Sequence, residues 1–310
     1  MTDRNEWFHR RGVLARDGWE SVVDATIDGW RYTGIRVAEL SDGEVTLPAG
    51  PVERVLVPLG GSFTVRYTTD AAAESEQRLT GRPSVFAGPT DVLYLPIATA
   101  AVVAGRGRIA VAEAPATVAH PVAYLPASDV PVELRGAGRS SRQVHNFGTP
   151  GTLAADRLIV CEVITPAENW SSYPPHKHDE SVAGTESCLE EIYYFETAVT
   201  RGVGVPAEAA PFGLMQTYAS NAGPIETLAE VHTGDIALVP FGWHGPCVAA
   251  PGYDLYYLNV MAGPDAERSW LITDDPAHAW IRETWAGQEV DARLPYTTTP
   301  STTAQNRTAS

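Results

Sequence analysis

The 310-residue sequence has few cysteines, a single lysine and no long apolar segment. Its three cysteines, Cys161, Cys188 and Cys247, are too few and too widely spaced for a disulfide framework or a cysteine-based zinc site, which indicates a reducing compartment. No stretch approaches the roughly 18 apolar residues that a membrane-spanning helix needs. The charged N-terminus is not followed by an apolar segment, so no secretory signal is visible. These absences predict a cytoplasmic protein with no membrane partner.

Basic residues are also scarce, with 22 Lys and Arg against 38 Asp and Glu and a net charge of −16. Such an acidic chain is repelled by the phosphate backbone of nucleic acids and by anionic membrane surfaces. Because 44% of the residues are hydrophobic, the acidity does not indicate disorder. The composition therefore predicts a folded protein that does not bind nucleic acid.

Sustained helical periodicity is lacking as well. Short runs rich in β-branched and aromatic residues recur between glycines and prolines, as at 158–164 and 255–261. Runs of this kind are typical of all-β sandwiches and barrels. Helical segments are predicted only at 18–25 and 276–285. The polar, low-complexity end of the chain predicts a disordered tail at 291–310.

An internal repeat divides the chain. Residues 90–100 (TDVLYLPIATA) align without gaps with residues 234–244 (GDIALVPFGWH), nearly half the chain later. A duplication of one β-rich unit explains this match. We therefore predict an all-β fold of two β-sandwich or jelly-roll barrels with few helices. The N-terminal half would cover residues 1–130 and the C-terminal half residues 131–290.

Histidines in a metal-binding pattern occur only in the second half. His176 and His178 are two residues apart, which places both imidazoles on one face of a strand. Glu191 opens the next strand-like run, and His244 ends the repeat at the position where the first half has Ala100. Three imidazoles and one carboxylate suit Zn, Mn, Fe or Ni, and they leave coordination positions open. The sequence predicts one divalent metal ion, whose identity the ligand types do not distinguish.

These residues resemble the two motifs of the cupin superfamily, an H-x-H followed by a Glu and a G-x5-P-x-G followed by a His. The second motif is met at 234–244 with one residue fewer before the histidine. The first motif departs, because twelve residues separate His178 from Glu191 where most cupins have three or four. We interpret the insertion as a longer hairpin loop. It leaves Glu190 open as an alternative ligand.

The resemblance is closer still to the 5-deoxy-glucuronate isomerase family of myo-inositol catabolism. The similar segments are SSYPPHKHD at 171–179, LEEIYYF at 189–195 and GDIALVPFGWHGP at 234–246, within a resemblance that runs from about residue 20 to 275. It implies a bicupin whose metal ligands are His176, His178, Glu191 and His244. It also implies a metal-dependent aldose–ketose isomerase that converts 5-deoxy-glucuronate to 5-dehydro-2-deoxy-gluconate, with a small-molecule sugar acid as its partner.

Alternatives stay open at this point. They are the related 4-deoxy-5-keto-uronate isomerase, an Fe(II) cupin dioxygenase with the same ligand types, and a non-catalytic sugar-acid-binding cupin. A sensor is disfavoured because the chain has no basic DNA-binding segment. The metal-free first half is expected to serve as scaffold and contact surface, so a homo-oligomer is predicted.

Strand alternation suggests further site residues. Tyr193 is expected on the same strand face as Glu191, whereas Glu190 and Lys177 are each expected to point away from the metal. The sequence does not identify the catalytic group, and these three residues are the candidates for it. Arg142 is predicted to bind the substrate carboxylate, because a guanidinium binds carboxylates bidentately. The remaining substrate contacts are predicted at Gln216, Tyr218, Tyr257 and Asn259.

Overall fold

The computed structural model describes residues 5–70 and 73–297, and β-strands dominate it. The first eight strands precede residue 130. They are β1 (Phe8–His9), β2 (Ser21–Val23), β3 (Gly34–Leu47), β4 (Val52–Thr68), β5 (Ser75–Arg82), β6 (Val92–Leu95), β7 (Ala100–Pro115) and β8 (Ala123–Leu125).

Fourteen further strands follow in the second part of the chain. They are β9 (Val132–Arg135), β10 (Arg142–Gly148), β11 (Ile159–Thr165), β12 (Trp170–Ser171), β13 (His176–Lys177), β14 (Asp179–Val182), β15 (Glu186–Cys188), β16 (Glu190–Val199), β17 (Gly213–Ser220), β18 (Gly223–Val231), β19 (Ile236–Val239), β20 (Trp243–Ala249), β21 (Tyr253–Ala262) and β22 (Thr273–Asp274).

Helices within the described ranges are limited to four 3-10 segments, at Val85–Ala87, Ala127–Asp129, Gly138–Ser140 and Ala279–Gly287. None of them has the length and apolar character needed to cross a membrane. The all-β prediction with few helices is confirmed. The helix predicted at 18–25 is wrong, because this segment contains β2, whose two valines favour extended backbone. The one predicted at 276–285 overlaps the last 3-10 helix.

The strands form three antiparallel sheets and one hairpin. The N-terminal sheet has the order β2-β3-β7-β4-β6-β8, with β5 paired to β4. The central sheet has the order β1-β19-β16-β21-β11-β10-β9. The C-terminal sheet has the order β18-β17-β20-β13-β22, with β12 paired to β20, and β14 and β15 form the separate hairpin.

The N-terminal and central sheets share one strand order. The succession β3-β7-β4-β6 corresponds to β11-β21-β16-β19, and the repeat places β6 on β19. Each of these two strands begins directly after an aspartate, Asp91 or Asp235, whose carboxylate accepts backbone amides of neighbouring segments. The order supports the duplication, and we propose the division of the chain near residue 130. Strand β1 does not follow this division, because it comes from the N-terminal part of the chain but joins the central sheet beside β19.

The central sheet is buried on both faces. Along β16, Ile192 and Tyr194 belong to the core shared with the N-terminal sheet, whereas Tyr193 and Phe195 belong to the core shared with the C-terminal sheet. Strand β21 alternates in the same way. A strand buried on both faces reads as a continuous apolar run, which explains the EEIYYF and LYYLNVM segments. The face toward the C-terminal sheet carries the site described below.

A buried ionic network joins the N-terminal and central sheets. Arg82 of β5 makes two hydrogen bonds to the carboxylate of Glu162 in β11, at 2.6 and 2.7 Å. His145 and Tyr256 donate to the same carboxylate at 2.5 and 2.7 Å. Burial would raise the pKa of Glu162, but the charge of Arg82 and these hydrogen bonds outweigh it and lower the pKa to about 2. Glu162 is therefore ionised and fully paired at neutral pH.

The end of the chain packs against the central sheet as far as residue 297. Leu294 and Tyr296 are buried, and the Tyr296 hydroxyl donates to Oδ2 of Asp254 at 2.9 Å. The backbone amide of Tyr296 donates to the side chain of Gln143. The disordered tail predicted from residue 291 is therefore wrong for 291–297. Residues 298–310 lie outside the described part of the chain.

Candidate metal centre

Three histidines and one glutamate converge between the central and C-terminal sheets. His176 of β13 lies directly opposite His244 of β20 in the strand register. Possible ligand nitrogens of these two residues and of His178 all lie within 4.8 Å of one another. Oε2 of Glu191, near the start of β16, is 2.9 Å from Nε2 of His178 and 3.1 Å from Nε2 of His244. The four residues predicted from the motifs lie together.

Hydrogen bonds fix the orientation of the imidazoles. Nδ1 of His178 donates to the backbone carbonyl of Leu189, and Nδ1 of His244 donates to that of Gly242, each at 3.0 Å. Nδ1 of His176 is 3.4 Å from a third backbone carbonyl. A carbonyl oxygen only accepts, so Nδ1 carries a proton in each ring and Nε2 is the nitrogen that faces the site. This is the arrangement by which proteins orient histidine ligands.

The donor set fits a divalent cation. Nε2 of His244 is buried and has no hydrogen-bond partner among the described residues, although the Glu191 carboxylate is adjacent. Burial would raise the pKa of Glu191, but His178 and His244 hold it well below its usual range, so this carboxylate is ionised. Burial lowers the pKa of His176, which keeps that ring neutral. Imidazole nitrogens and an ionised carboxylate oxygen that converge in this way are the donor types that bind Zn, Mn, Fe or Ni.

The corresponding place in the first half is filled by an ion pair. In the register, Arg54 pairs with Leu95 as Glu191 pairs with Val239, so the repeat places Arg54 at the position of Glu191. The guanidinium of Arg54 is buried and donates to Glu113 at 2.7 Å. A fixed side-chain cation therefore occupies the region that in the second half offers metal ligands.

A cavity of about 330 Å³ opens in front of the histidine cluster. The central sheet lines it with one face, because side chains two apart on a strand point the same way. Strand β16 contributes Glu191 and Tyr193, β21 contributes Tyr257 and Asn259, and β10 contributes Arg142. The predicted substrate contacts Arg142, Tyr257 and Asn259 thus share the cavity with two of the candidate metal ligands, His176 and Glu191.

Arg142 is a buried cation without a carboxylate partner. Two other arginines line the cavity, but Arg135 pairs with Glu133 and Arg282 pairs with Asp274. Within the described ranges, no carboxylate oxygen lies within 4.0 Å of the Arg142 guanidinium. Burial lowers the pKa of Arg142 to about 10, so the group stays protonated at neutral pH. An unpaired buried guanidinium facing a cavity is suited to binding an anion.

Three hydroxyl groups lie together in the cavity wall. Oγ of Ser172 is 3.0 Å from the Tyr257 hydroxyl and 3.4 Å from the Tyr193 hydroxyl. Burial raises the pKa of both tyrosines, so both phenols are protonated at neutral pH. They can donate hydrogen bonds to a ligand oxygen, and Ser172 connects them.

Two of the three catalytic candidates do not reach this cavity. The carboxylate of Glu190 accepts the backbone amides of Arg31 and Tyr32 at 3.0 and 2.7 Å, on the face toward the N-terminal sheet. This placement also excludes Glu190 as the alternative ligand. Nζ of Lys177 is surrounded by the carboxylates of Asp179, Glu180 and Glu186 at 2.7 to 2.8 Å. Neither Glu190 nor Lys177 is placed to act on a molecule in the cavity, whereas the third candidate, Tyr193, lines it.

Gln216 and Tyr218, two of the predicted substrate contacts, line a different cavity. It lies beside the residues that precede the H-x-H motif, with Tyr173 and Pro175 in its wall. Their neighbours Ser172, Pro174 and His176 line the first cavity instead. The segment 172–176 therefore separates the two cavities, and the structure does not bring Gln216 or Tyr218 to the histidine cluster.

Sequence reasoning missed several cavity residues. Ser172 had a signal, because it lies within the SSYPPHKHD segment that carries the resemblance. Five more lie on β9 or on the segment after β21, where no local pattern predicts which side chains turn inward. They are Glu133, Arg135, Trp270, Ile272 and Arg282.

A duplicated β-fold with a three-histidine, one-glutamate cluster between two sheets of one half defines a bicupin. Solved structures agree on the fold: oxalate decarboxylase from Lactobacillus farciminis superimposes with a TM-score of 0.60 over 88% of this chain and 90% of its own, at 8% identity. An IolB-like protein from Salmonella typhimurium LT2 gives a TM-score of 0.77 over 89% of this chain and 99% of its own, at 35% identity.

Sequence comparison narrows the class. The model of the KduI/IolB family matches residues 7–281. A 5-deoxy-glucuronate isomerase from Geobacillus kaustophilus is 39% identical over 82% of this chain and 87% of its own. One from Lacticaseibacillus casei is 36% identical over 88% of this chain and 97% of its own. The chain belongs to the KduI/IolB family, and it is an isomerase.

Proposed function

We propose that this isomerase converts the aldehyde sugar acid 5-deoxy-glucuronate to the ketone 5-dehydro-2-deoxy-gluconate, a step of myo-inositol catabolism, and that it depends on a divalent metal ion. Relatives of that name at 36–39% identity support the substrate. The observation that carries the proposal is one cavity with a candidate metal cluster and an unpaired buried arginine. The cytoplasmic location and the homo-oligomeric state stay predictions from the sequence.

The reaction is an internal redox exchange. One hydrogen moves from C2 to C1 and one from the C2 hydroxyl to the C1 oxygen, so no external oxidant or reductant takes part. His176, His178, Glu191 and His244 would hold the ion. When bound, a divalent ion stabilises negative charge that develops on the carbonyl and neighbouring hydroxyl oxygens, an effect worth several kcal/mol.

The other residues of the cavity bind substrate and hold protons. Arg142 would bind the carboxylate, because its guanidinium has five fixed donors and no carboxylate of its own within the described ranges. The hydroxyls of Tyr193, Tyr257 and Ser172 would donate to the oxygens of the reacting carbons and pass the hydroxyl proton between them. Both tyrosines are protonated at rest, so they act first as donors.

The substrate assignment is tested by offering the purified protein two sugar acids in separate reactions, each run with and without oxygen. NMR should detect 5-dehydro-2-deoxy-gluconate from 5-deoxy-glucuronate, at a kcat/KM well above that for 4-deoxy-5-keto-uronate. The reverse preference would indicate a 4-deoxy-5-keto-uronate isomerase. Turnover that requires oxygen would indicate a dioxygenase, and binding without turnover of either acid would indicate a non-catalytic cupin.

Arg142→Ala is expected to lower kcat/KM about 100-fold, mainly through a higher KM, because charge-assisted hydrogen bonds to the carboxylate are lost. The matched control is Arg139→Ala, which removes an exposed arginine paired with Glu168 near the same strand and should leave kcat/KM within about twofold. Initial rates at several substrate concentrations measure both. Equal kinetics for Arg142→Ala and the wild type would remove Arg142 from the binding site.

A further inference from the structure

Two nitrogen–hydrogen donors in the wall of the metal cavity lack a partner. They are Nδ2 of Asn259 and Nε1 of Trp270, both inaccessible to solvent and without a hydrogen bond to any described residue. Asn259 is only 4% exposed, and both side chains line the cavity. Neither donor belongs to the candidate metal ligands, to the guanidinium of Arg142 or to the hydroxyl group cluster.

Unpaired buried donors are rare in native proteins, because each forfeits the hydrogen bond it made to water in the unfolded chain. Two other buried amides are paired: Nδ2 of Asn169 donates to a backbone carbonyl and to Asp291, and Nε2 of Gln143 donates to the backbone carbonyl of Tyr296. Because Asn259 and Trp270 line the cavity, a molecule bound there is the partner available to their donors. A cavity of about 330 Å³ has room for a ligand of several carbons or for water.

The two donors lie toward different parts of the cavity. Asn259 pairs with Tyr193 in the strand register, and the next pair on the same sheet face is Glu191 with Met261. Asn259 is therefore a diagonal neighbour of the candidate metal ligand Glu191. The ring of Trp270 packs under the guanidinium of Arg135, at 5.5 Å, and Arg135 is the register partner of Arg142. Asn259 is thus on the metal side and Trp270 on the arginine side.

We propose that Asn259 and Trp270 determine specificity by donating hydrogen bonds to the hydroxyl oxygens on the substrate carbons between the reacting end and the carboxylate. This inference rests on the proposed function and extends it from the two ends of the sugar acid to its middle. A site built around buried donors selects strongly for a partner oxygen, because an analogue without that oxygen leaves the donor unpaired. The cavity would therefore select a substrate by the positions of its hydroxyl groups and not only by its carboxylate.

Trp270→Phe tests the inference most cleanly, because it removes the donor and keeps an aromatic ring against Arg135. We expect kcat/KM for 5-deoxy-glucuronate to fall about tenfold, which corresponds to about 1.4 kcal/mol. Trp285→Phe is the matched control: Nε1 of Trp285 is also buried and without a described partner, but Trp285 does not itself line the cavity. Its ring packs against Arg142 at 5.6 Å, as that of Trp270 packs against Arg135, and phenylalanine keeps this ring contact in both variants. This control should stay within about twofold of the wild type. Metal content and thermal unfolding should be unchanged in both variants.

Asn259→Leu supplies the second variant, with an expected loss of about 10- to 100-fold in kcat/KM and unchanged metal content. Substrate analogues that lack the C3 or the C4 hydroxyl locate each contact. An analogue without the contacted hydroxyl should react poorly with the wild type, and the variant that lacks the matching donor should lose little further. This non-additivity is a readout that a merely structural role would not produce.

The inference is overturned if both cavity variants retain wild-type kcat/KM, which would mean that the substrate does not contact the two donors. Equal losses in Trp270→Phe and Trp285→Phe would overturn it as well, since the effect would then come from general packing. Additive losses with both analogues would have the same consequence. The proposed function fails separately, if the wild-type protein does not convert 5-deoxy-glucuronate at all.

Discussion

Replacing His244 with alanine is expected to lower kcat/KM by about a thousandfold or more while the protein stays folded. The imidazole is one of the four side chains that converge at the candidate metal site. Its Nε2 faces that site and has no hydrogen-bond partner among the described residues. Its Nδ1 makes a single hydrogen bond, to the carbonyl of Gly242. The side chain thus contributes little to stability and much to the charge-stabilising centre, where a loss of about 4 kcal/mol is about a thousandfold in rate.

The control for this substitution is His232→Ala. His232 lies in the same half, is partly exposed and contacts Glu230, so its removal should leave turnover within about twofold of the wild type. Initial rates, metal per protomer and circular dichroism should be measured on both variants. Full activity in His244→Ala, with normal metal content, would remove His244 from the site.

The second large effect is expected on stability. Glu162→Ala should lower the free energy of unfolding by about 3–5 kcal/mol, because it leaves the buried guanidinium of Arg82 without its counter-charge. Glu168→Ala is the matched control, since Glu168 pairs with Arg139 at the surface and should cost less than about 1 kcal/mol. Denaturant titration of both variants measures the difference. A loss in Glu162→Ala no larger than in the control would contradict the role assigned to the pair.

The same pair predicts a pH dependence with a definite sign. The pKa of Glu162 is lowered to about 2 in the folded chain, whereas the pKa of a glutamate in the unfolded chain is about 4.3. Its contribution to stability is therefore complete above about pH 4.3 and is lost as the pH falls toward about 2, by up to about 3 kcal/mol. The unfolding free energy of Glu162→Ala should depend less on pH in that interval. An unchanged slope would contradict the proposed ionisation.

Much of the metal cluster could be predicted from sequence because its signals are local. An H-x-H on a strand fixes the relative direction of His176 and His178, and the turn at the end of the repeat fixes His244. The long insertion before Glu191 left two carboxylates open. The structure separates them through strand alternation, since the carboxylate of Glu190 contacts backbone amides of the first half.

The cavity walls could be predicted only in part. Alternation along β21 correctly grouped Tyr257 with Asn259, because a strand in the middle of a sheet has two well-defined faces. The same reasoning placed Gln216 in the metal cavity, but in the structure the segment 172–176, whose path depends on tertiary contacts, lies between them. Trp270 was missed because it follows the last long strand, in a segment without periodicity.

The composition of the last residues gave a wrong expectation for a different physical reason. A short polar segment has little tendency to order by itself, yet two apolar side chains, Leu294 and Tyr296, are enough to fix it where a groove exists. The Tyr296 hydroxyl and backbone amide also find partners on the central sheet. Such docking depends on residues far away in sequence, which composition does not report.

Metal removal and return tests the central claim most directly. The wild-type protein should be assayed with 5-deoxy-glucuronate without oxygen, first as isolated, then after exhaustive chelation and again after single additions of Zn, Mn, Fe or Ni. We expect activity to disappear with the bound metal and to return with at least one of these ions at one ion per protomer, and not to return in His244→Ala. Sustained turnover by the fully metal-free protein would contradict the account.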